Sequence, residues 1–176
     1  MRAYAVLNAF GADRVGLVDD ISEAVLQASC NIEESKMALL GGEFAVIALV
    51  SGESDHIASL LTNVDSMGNK LGIVISGRPT SATVEVPSGR PYRIESASLD
   101  SPGIVHAVTA LLREFSINIE ELETETSGAP FTGAPMFHMR ILAVVPSSVR
   151  IRELRNRLQD ISIDQDLDIS ISPVTQ

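Results

Sequence analysis

Two short motifs with identical spacing contain the residues best suited to hold a small charged molecule. Asp13 and Gly16 recur 87 positions later as Asp100 and Gly103, each pair between a predicted strand and a predicted helix. The first turn of a helix presents unpaired N–H groups and partial positive charge, which bind carboxylates. A glycine lets a ligand approach the backbone closely, and an aspartate can accept hydrogen bonds from an ammonium group. The pattern suits a free amino acid.

An asparagine begins the strand that follows each of these helices, and its amide suits the same kind of ligand. These residues are Asn31 and Asn118, again 87 positions apart. A purely structural interpretation stays open beside this one. An aspartate before a helix is often only a cap, and a glycine at this place can serve only the turn.

The motifs belong to an internal repeat that covers most of the chain. Over residues 13–35 and 100–122, eight of 23 aligned positions are identical without a gap. Further along, the offset between the copies grows from 87 to 93, because the second copy has a longer connection rich in Gly, Ala and Pro at 126–135. We therefore expect two copies of one architecture.

Hydrophobic periodicity assigns the same order of elements to both copies. Apolar residues recur at helical spacing in four segments, and extended segments lie between them. Gly41 and Gly42 separate two strands and predict a hairpin, because both residues tolerate positive φ. The predicted helices are Val15–Ser29, Asp55–Met67, Pro102–Ser116 and Ser147–Asp160, and the predicted strands include Ala3–Phe10, Asn31–Leu40, Glu43–Ser51, Lys70–Ser76, Tyr92–Leu99, Met136–Val145 and Leu167–Ser172.

Each copy is thus predicted to be βαββαβ, the ferredoxin-like unit, with both helices on one face of an antiparallel sheet. The predicted fold class is α+β, with domains at 1–78 and 92–176 and a linker at 79–91 that contains a short strand at 82–86. The third strand is apolar from Phe44 to Val50, so the open sheet face should be covered by the sister domain or by a second chain. Because units of this size are marginally stable alone, we expect a homo-oligomer.

The doubled motif resembles the ACT domain. The first copy has Asp13-Arg14-Val15-Gly16-Leu17-Val18, then Asn31-Ile32 and Gly41-Gly42-Glu43-Phe44; the second has Asp100-Ser101-Pro102-Gly103-Ile104-Val105 and Asn118-Ile119. The resemblance covers nearly the whole chain except the linker. It implies two βαββαβ regulatory modules of a kind that often binds amino acids at domain interfaces, with the ligand loop between the first strand and the first helix.

The resemblance also implies which residues hold the ligand. In the first copy they are Asp13, Arg14, Gly16 and Leu17 of the loop, faced by Asn31 and Ile32. In the second copy they are Asp100, Ser101, Gly103 and Ile104, faced by Asn118 and Ile119.

A free-standing pair of such domains, with Met136-Phe137 after a Gly- and Pro-rich loop and Val145-Pro146 at a strand end, looks like the glycine cleavage system transcriptional repressor family. This second resemblance implies an indirect regulator of transcription that acts through a DNA-binding partner protein, with a small amino acid such as glycine as its signal. Two alternatives stay open: a regulatory subunit of an amino-acid metabolic enzyme, and a protein-interaction module without a ligand.

Charge and composition exclude several classes of function. The chain has 13 Lys and Arg against 23 Asp and Glu, a net charge of -10, so direct binding to nucleic acid is not expected. His56, His106 and His138 lack the spacing of metal ligands, and Cys30 is a single cysteine; we expect no metal, cofactor, disulfide or catalytic activity. His106, in the first turn of a predicted helix, either borders a ligand or is simply solvated.

Two further absences bear on where the protein works. The N-terminus lacks the features of a signal peptide, and the longest apolar run, Phe44–Val50, is too short to cross a membrane. Together with the single cysteine, these features favour the reducing cytoplasm and predict no membrane association.

Overall fold

A computed structural model of the chain describes residues 1–81, 88–99, 101–129 and 133–174. The backbone divides into two units, Met1–Val84 and Glu85–Gln176. The strand predicted over 82–86 and the candidate ligand residue Asp100 lie outside the described residues.

The first unit contains a four-stranded antiparallel sheet in the order β2-β3-β1-β4. Its two helices pack on one face of this sheet. Its elements are β1 (Arg2–Ala12), α1 (Leu17–Gln27), β2 (Asn31–Leu40), β3 (Glu43–Glu53), α2 (Ser54–Leu71) and β4 (Val74–Thr80).

The second unit repeats this topology with the strand order β6-β7-β5-β8, again antiparallel. Its elements are β5 (Gly89–Leu99), α3 (Ile104–Glu114), β6 (Asn118–Gly128), β7 (Pro135–Pro146), α4 (Ile151–Gln165) and β8 (Asp168–Pro173). The predicted α+β fold, with two ferredoxin-like βαββαβ domains, is confirmed.

Each core lies between the helices and the sheet face that they cover. In the first unit, alternate residues of β1 and β3 point to the helices, and Ala5, Leu7 and Val50 pack with Val25 of α1 and Leu60 of α2. The second core has the same construction and includes Ile94, Val108, Ile141 and Leu154 among its fully buried residues. These aliphatic cores explain how a chain without tryptophan buries its helices.

Two elements begin four residues later than predicted. A strand was expected from Lys70, but α2 continues to Leu71 and ends at Gly72, whose φ of 73° is the left-handed conformation that stops a helix. A helix was expected from Ser147, but α4 begins at Ile151 after a turn in which the Val149 N–H donates to Pro146 O. In both places the turn, and not the apolar periodicity, determines where the next element begins.

The strands also extend into the segment predicted as a linker. β4 continues to Thr80, and β5 begins at Gly89. The domain limits of 1–78 and 92–176 stay a prediction. Within the expected linker at 79–91, β4 occupies the first residues and β5 the last.

The open face of the first sheet presents apolar side chains. Ile47, near the middle of the apolar third strand, is 49% exposed, and Phe10 and Val74 on neighbouring strands are 55% and 54% exposed. That the sister domain or a second chain covers this face stays a prediction.

Over the described ranges, no helix is both long and apolar enough to span a membrane.

Candidate functional site

The two candidate ligand loops have the same backbone geometry. Gly16 and Gly103 are the N-cap residues of α1 and α3, with φ values of 86° and 100°, and neither helix has a side-chain cap. A side chain at either position would meet no atom within 4 Å, so it is the positive φ that requires glycine. Asp13 is therefore not the cap of α1; its backbone N–H instead donates to Gly42 O at 3.0 Å.

The first loop is held together by its own charged groups. Arg14 Nη2 lies 2.6 Å from Asp20 Oδ2, across the first turn of α1. The Leu17 N–H donates to Arg14 O at 3.3 Å, and Asp19 and Asp20 place two carboxylates in the same turn. Carboxylates at a helix N-terminus interact favourably with the helix dipole, so this loop supplies its own anions.

The second loop borders an open cleft of about 450 Å³. Three predicted ligand residues, Ser101, Gly103 and Ile104, lie in its wall, together with Val105, His106, Thr109 and Phe137. The Thr109 hydroxyl donates to Val105 O within α3, so the side-chain groups free to meet a ligand are the Ser101 hydroxyl and the His106 imidazole.

A groove of about 420 Å³ in the first unit lies elsewhere, between α1 and α2. Its wall includes Glu23, Gln27, Ser59 and Asn63. It contains none of the loop residues that the sequence pointed to, and its polar lining gives no sign of a specific ligand.

The structure does not bring the candidate asparagines to the loops of their own unit. Asn31 lies opposite Ser51, which lies opposite Tyr4 at the start of β1, whereas the ligand loop follows Ala12 at the other end of the strand. Eight residues of strand separate these ends, roughly 26 Å at ~3.3 Å per residue. The reason is topological, since a helix that follows a strand returns the chain to the strand's beginning.

The second unit shows the same separation. Asn118 lies opposite Val144, which lies opposite Pro91, while the loop follows Leu99. The neighbouring residues Ile32 and Ile119 pack against the hydrophobic cores, which leaves the asparagines as the exposed member of each pair.

A polar cluster around Glu33 was missed by sequence reasoning. Glu33 Oε1 accepts hydrogen bonds from the Ser51 hydroxyl, from Arg2 Nη2 at 2.6 Å and from Asn31 Nδ2 at 3.2 Å. Glu33 is the extra residue of a β-bulge between Ile32 and Glu34. These hydrogen bonds, led by those from Ser51 and Asn31, hold the pKa of Glu33 below its usual value.

The second unit has the bulge but not the cluster. The register shifts between Ile119 and Glu121 in the same way. However, Val144 occupies the place of Ser51, and by the repeat offset Gly89 occupies the place of Arg2. The sequence reveals neither bulge, because two adjacent glutamates are equally typical of an exposed edge strand without a bulge.

Two buried hydroxyl groups in the second unit were also missed. Ser96 and Ser98 on β5 are 6% and 7% exposed, and neither side-chain oxygen has a hydrogen-bond partner among the residues that the structure describes. Ser98 lies opposite Phe137, which lines the cleft. By the repeat offset, the first unit has Ala9 and Gly11 at these positions.

Other reactive groups are scattered. Cys30 is buried between α1 and β2, and burial raises the pKa of its thiol. Across the described ranges, no group of three or more His, Cys, Asp or Glu side chains is placed to hold a metal ion.

Comparison with known proteins links this arrangement to named relatives. The sequence profile of the ACT domain matches residues 3–77. The glycine cleavage system transcriptional repressor of Escherichia coli (strain K12) is 31% identical over 171 residues, which cover 97% of this chain and 90% of that protein. The repressor of the same description from Shigella flexneri gives the same identity and coverage.

Solved structures agree with these relatives. A protein of unknown function from Galdieria sulphuraria superimposes with a TM-score of 0.84 at 38% identity, covering 99% of this chain and all of that one. A second crystal structure, provisionally assigned as a glycine cleavage system transcriptional repressor, has a TM-score of 0.75 at 23% identity and supports the fold. With its two ACT-like units and its near full-length similarity to these repressors, the chain belongs to the glycine cleavage system transcriptional repressor family.

Proposed function

We propose that this protein senses a small amino acid, with glycine as the first candidate, and controls transcription indirectly through a DNA-binding partner protein. Family membership supports an amino-acid-sensing regulatory role. The observation that carries the proposal is the cleft at the N-terminus of α3, where predicted loop residues, a helix N-terminus and the polar side chains of Ser101 and His106 meet.

The candidate site residues fit a composite site formed when two copies of the chain associate. Asp13, Arg14, Gly16 and Leu17, or Asp100, Ser101, Gly103 and Ile104, would supply the loop. Because Asn31 and Asn118 lie at the far end of their own sheets, an asparagine would reach a loop from a second copy, with Ile32 or Ile119 beside it. The half-exposed apolar residues of the first sheet support such self-association.

The acidic charge supports the indirect route to DNA. A net charge of -10 repels the phosphate backbone, which supplies most of the affinity in protein–DNA binding. The proposal is that the protein acts in the cytoplasm, without catalysis and without a cofactor, by changing what a partner does.

Ligand sensing is tested by titrating the full chain with glycine, serine and alanine in a calorimeter. Saturable binding of at least one amino acid is expected, and heat that does not saturate with any of them would remove the sensing role. Sedimentation of the same samples measures the association state with and without ligand, and a monomer under both conditions would exclude the composite site.

The partner is tested by affinity capture followed by reconstitution on DNA. The expected partner is a transcription regulator that binds a labelled duplex, while this protein alone leaves the anisotropy of the duplex unchanged. Recovery of an amino-acid metabolic enzyme whose activity responds to the protein would instead support a regulatory subunit.

A further inference from the structure

We propose that the groove between α1 and α2 of the first unit is a docking site for an arginine of α4 from a second copy of this chain. The contact gives a surface to the self-association that the sequence predicts. It requires no amino-acid ligand, so it stands apart from the sensing role.

The second unit shows what kind of side chain bridges its own two helices. Arg157 of α4 donates to Glu114 of α3, with Nη2 and Oε2 2.8 Å apart. By the repeat offset, Gln27 takes the place of Glu114 in the first unit. When α2 and α4 are aligned on the left-handed residues that end them, Asn63 takes the place of Arg157. The first unit therefore lacks the arginine that crosses this space in the second.

The side chains of the first unit are also smaller at this place. Ala24 and Ala28 of α1 line the groove, and by the repeat offset the second unit has Leu111 and Phe115 there. Leu111 belongs to the second core, and Phe115 packs against it. The alanines leave about 420 Å³ open between α1 and α2, so an incoming side chain has room between the helices.

The lining of the groove suits a guanidinium group, which has five N–H donors and no acceptor. Glu23, Gln27 and Asn63 are in its wall. The amide nitrogen of Gln27 donates to Glu23 Oε1, and that of Asn63 donates to Ser59 O. The amide oxygens are thus left as acceptors beside a carboxylate. Leu60, also in the wall, offers apolar contact to the methylene stem of an arginine.

The charge of this surface is acidic. Together α1 and α2 contain five acidic residues and one basic residue, Lys70, which also lines the groove. Of the two carboxylates in the wall, Asp20 lies 2.6 Å from Arg14. Glu23 forms no ion pair within the described ranges, so its carboxylate is available to a cation.

The beginning of α4 has the opposite charge. Four arginines and one glutamate lie within residues 150–157. Arg157 is held by Glu114, and Arg155 donates to Ile171 O at 3.4 Å. Arg150 and Arg152 are exposed, and the side chain of neither forms an ion pair or a hydrogen bond with the part of the chain that the structure describes.

The two unpaired arginines are unfavourably placed for the helix itself. Arg150 is the N-cap residue of α4 and Arg152 lies in its first turn, where the partial positive charge of the helix repels cations. The equivalent helix α2 has Glu53 as N-cap and Asp55 in its first turn. Contact with an acidic surface would compensate for this repulsion.

A second copy is the occupant that the charges favour. Each copy has a net charge of -10, so two copies repel each other unless surfaces of unlike charge meet. The beginning of α4 and the groove are such surfaces, and Arg152 is the unpaired arginine within the helix. Two copies can make this contact twice, once in each direction, as a two-fold dimer does.

Sedimentation velocity of the full chain and of two charge-reversal variants tests the contact. Arg152→Glu and Glu23→Arg should each weaken self-association at least about tenfold, equivalent to ~1.4 kcal/mol. An equimolar mixture of the two variants should associate within about threefold of wild type. The reason is that in mixed pairs every groove meets an α4 of opposite charge.

Matched reversals outside the contact are the controls. Asp65→Arg changes α2 outside the groove wall, and Arg113→Glu changes the last turn of α3. Both should associate within about threefold of wild type. Circular dichroism and the thermal midpoint check that every variant is folded. If a reversal unfolds the chain, Arg152→Ala and Glu23→Ala form a double-mutant cycle in its place, and additive effects on association would overturn the inference.

Salt separates this contact from an apolar one. From about 0.1 M to about 1 M salt the Debye length falls from about 10 Å to about 3 Å, so the self-association should weaken. A wild-type chain that is monomeric at low salt, or a mixture that associates no better than either variant alone, would overturn the inference. Association that both reversals leave unchanged would also overturn it, and would point to the open face of the first sheet instead.

Discussion

The Ser51 hydroxyl donates a hydrogen bond to the Glu33 carboxylate and so ties the inner strand β3 to the bulge of the edge strand β2. Ser51 is 2% exposed, so the hydrogen bond to Glu33 satisfies a buried hydroxyl. The bond also fixes the ionised form of Glu33, because a carboxylate accepts hydrogen bonds that a carboxylic acid accepts less well.

Stability should therefore depend on pH through Glu33. Its folded pKa is lowered, first by the bond from Ser51, so the unfolded chain binds this proton more readily than the folded one. The stabilisation is present above the unfolded pKa of about 4.3 and disappears as pH falls through the lower folded value. We expect Glu33→Gln to flatten the fall of the thermal midpoint as the pH is lowered below about 5.

The matched control for that measurement is Glu120→Gln at the equivalent bulge. Among the described side chains, Glu120 has no contacts like those of Glu33, so the wild-type pH profile should be retained. Equal profiles for wild type and Glu33→Gln would show that the hydrogen bonds to Glu33 do not stabilise the fold.

The ion pair between Arg14 and Asp20 should contribute little to stability. The two side chains are 45% and 36% exposed, and exposed pairs usually contribute about 0.2–1 kcal/mol. A double-mutant cycle of Arg14→Ala and Asp20→Ala, followed by urea denaturation, should give a coupling energy in that range. The coupling should weaken near ~1 M salt, where the Debye length falls to about 3 Å. A coupling above about 2 kcal/mol would mean that the pair is less solvated than its exposure indicates.

Removal of an unpartnered buried hydroxyl should stabilise the second unit. Ser96→Ala deletes an oxygen that has no hydrogen-bond partner in the described part of the chain, so we expect the free energy of unfolding to rise by about 1 kcal/mol. Urea denaturation without amino acid measures the change. Ser170→Ala on exposed β8 is the control and should stay within about 0.5 kcal/mol of wild type. A destabilised Ser96→Ala protein would show that the hydroxyl has a partner in solution, such as a bound water.

A methyl group on Gly68 should destabilise the first unit although Gly68 lies inside a helix. In α2 an alanine gains about 1 kcal/mol over glycine in helix propensity. The new Cβ, however, would lie 2.7 Å from Ile73 O and 3.2 Å from Ile75 N. Backbone atoms cannot rotate away, and overpacking costs about 1–3 kcal/mol, so the net effect of Gly68→Ala should be a loss of stability.

The control for this substitution is Ser66→Ala, two residues earlier on the exposed side of the same helix. There only helix propensity changes, and a gain of a few tenths of a kcal/mol is expected. Thermal unfolding of both variants gives the comparison. A stabilised Gly68→Ala protein would show that β4 shifts away from α2 at low cost.

The sequence pattern predicted the fold correctly where the local conformational preference of the residues agrees with their packing. The strand Asn31–Leu40 has the limits that the sequence predicted, because Gly41 and Gly42 take φ values of 61° and 86° and set the hairpin. The doubled Asp-x-x-Gly motif likewise predicted where two helices begin, although the predicted starts at Val15 and Pro102 lie two residues before the observed starts at Leu17 and Ile104.

The site was less predictable, because it depends on relations between distant residues. The resemblance placed Asn31 facing the loop of Asp13, but strand register puts the two at opposite ends of one sheet. The cause is topological, because α1 returns the chain to the beginning of β1, and the bulge at Glu33 shifts the register by only one residue. Likewise, the sequence alone does not predict whether the hydroxyl of a strand serine such as Ser96 finds a hydrogen-bond partner.

The matching bulges at Glu33 and Glu120 also record the history of the chain. Both occur at the same step after the asparagine, although the two hairpins that follow differ in length. A shared irregularity at one position is most simply inherited from a single ancestral unit, while the hairpin lengths diverged after duplication. The bulge is thus common to both copies, whereas the polar cluster occurs, among the described residues, in the first copy alone.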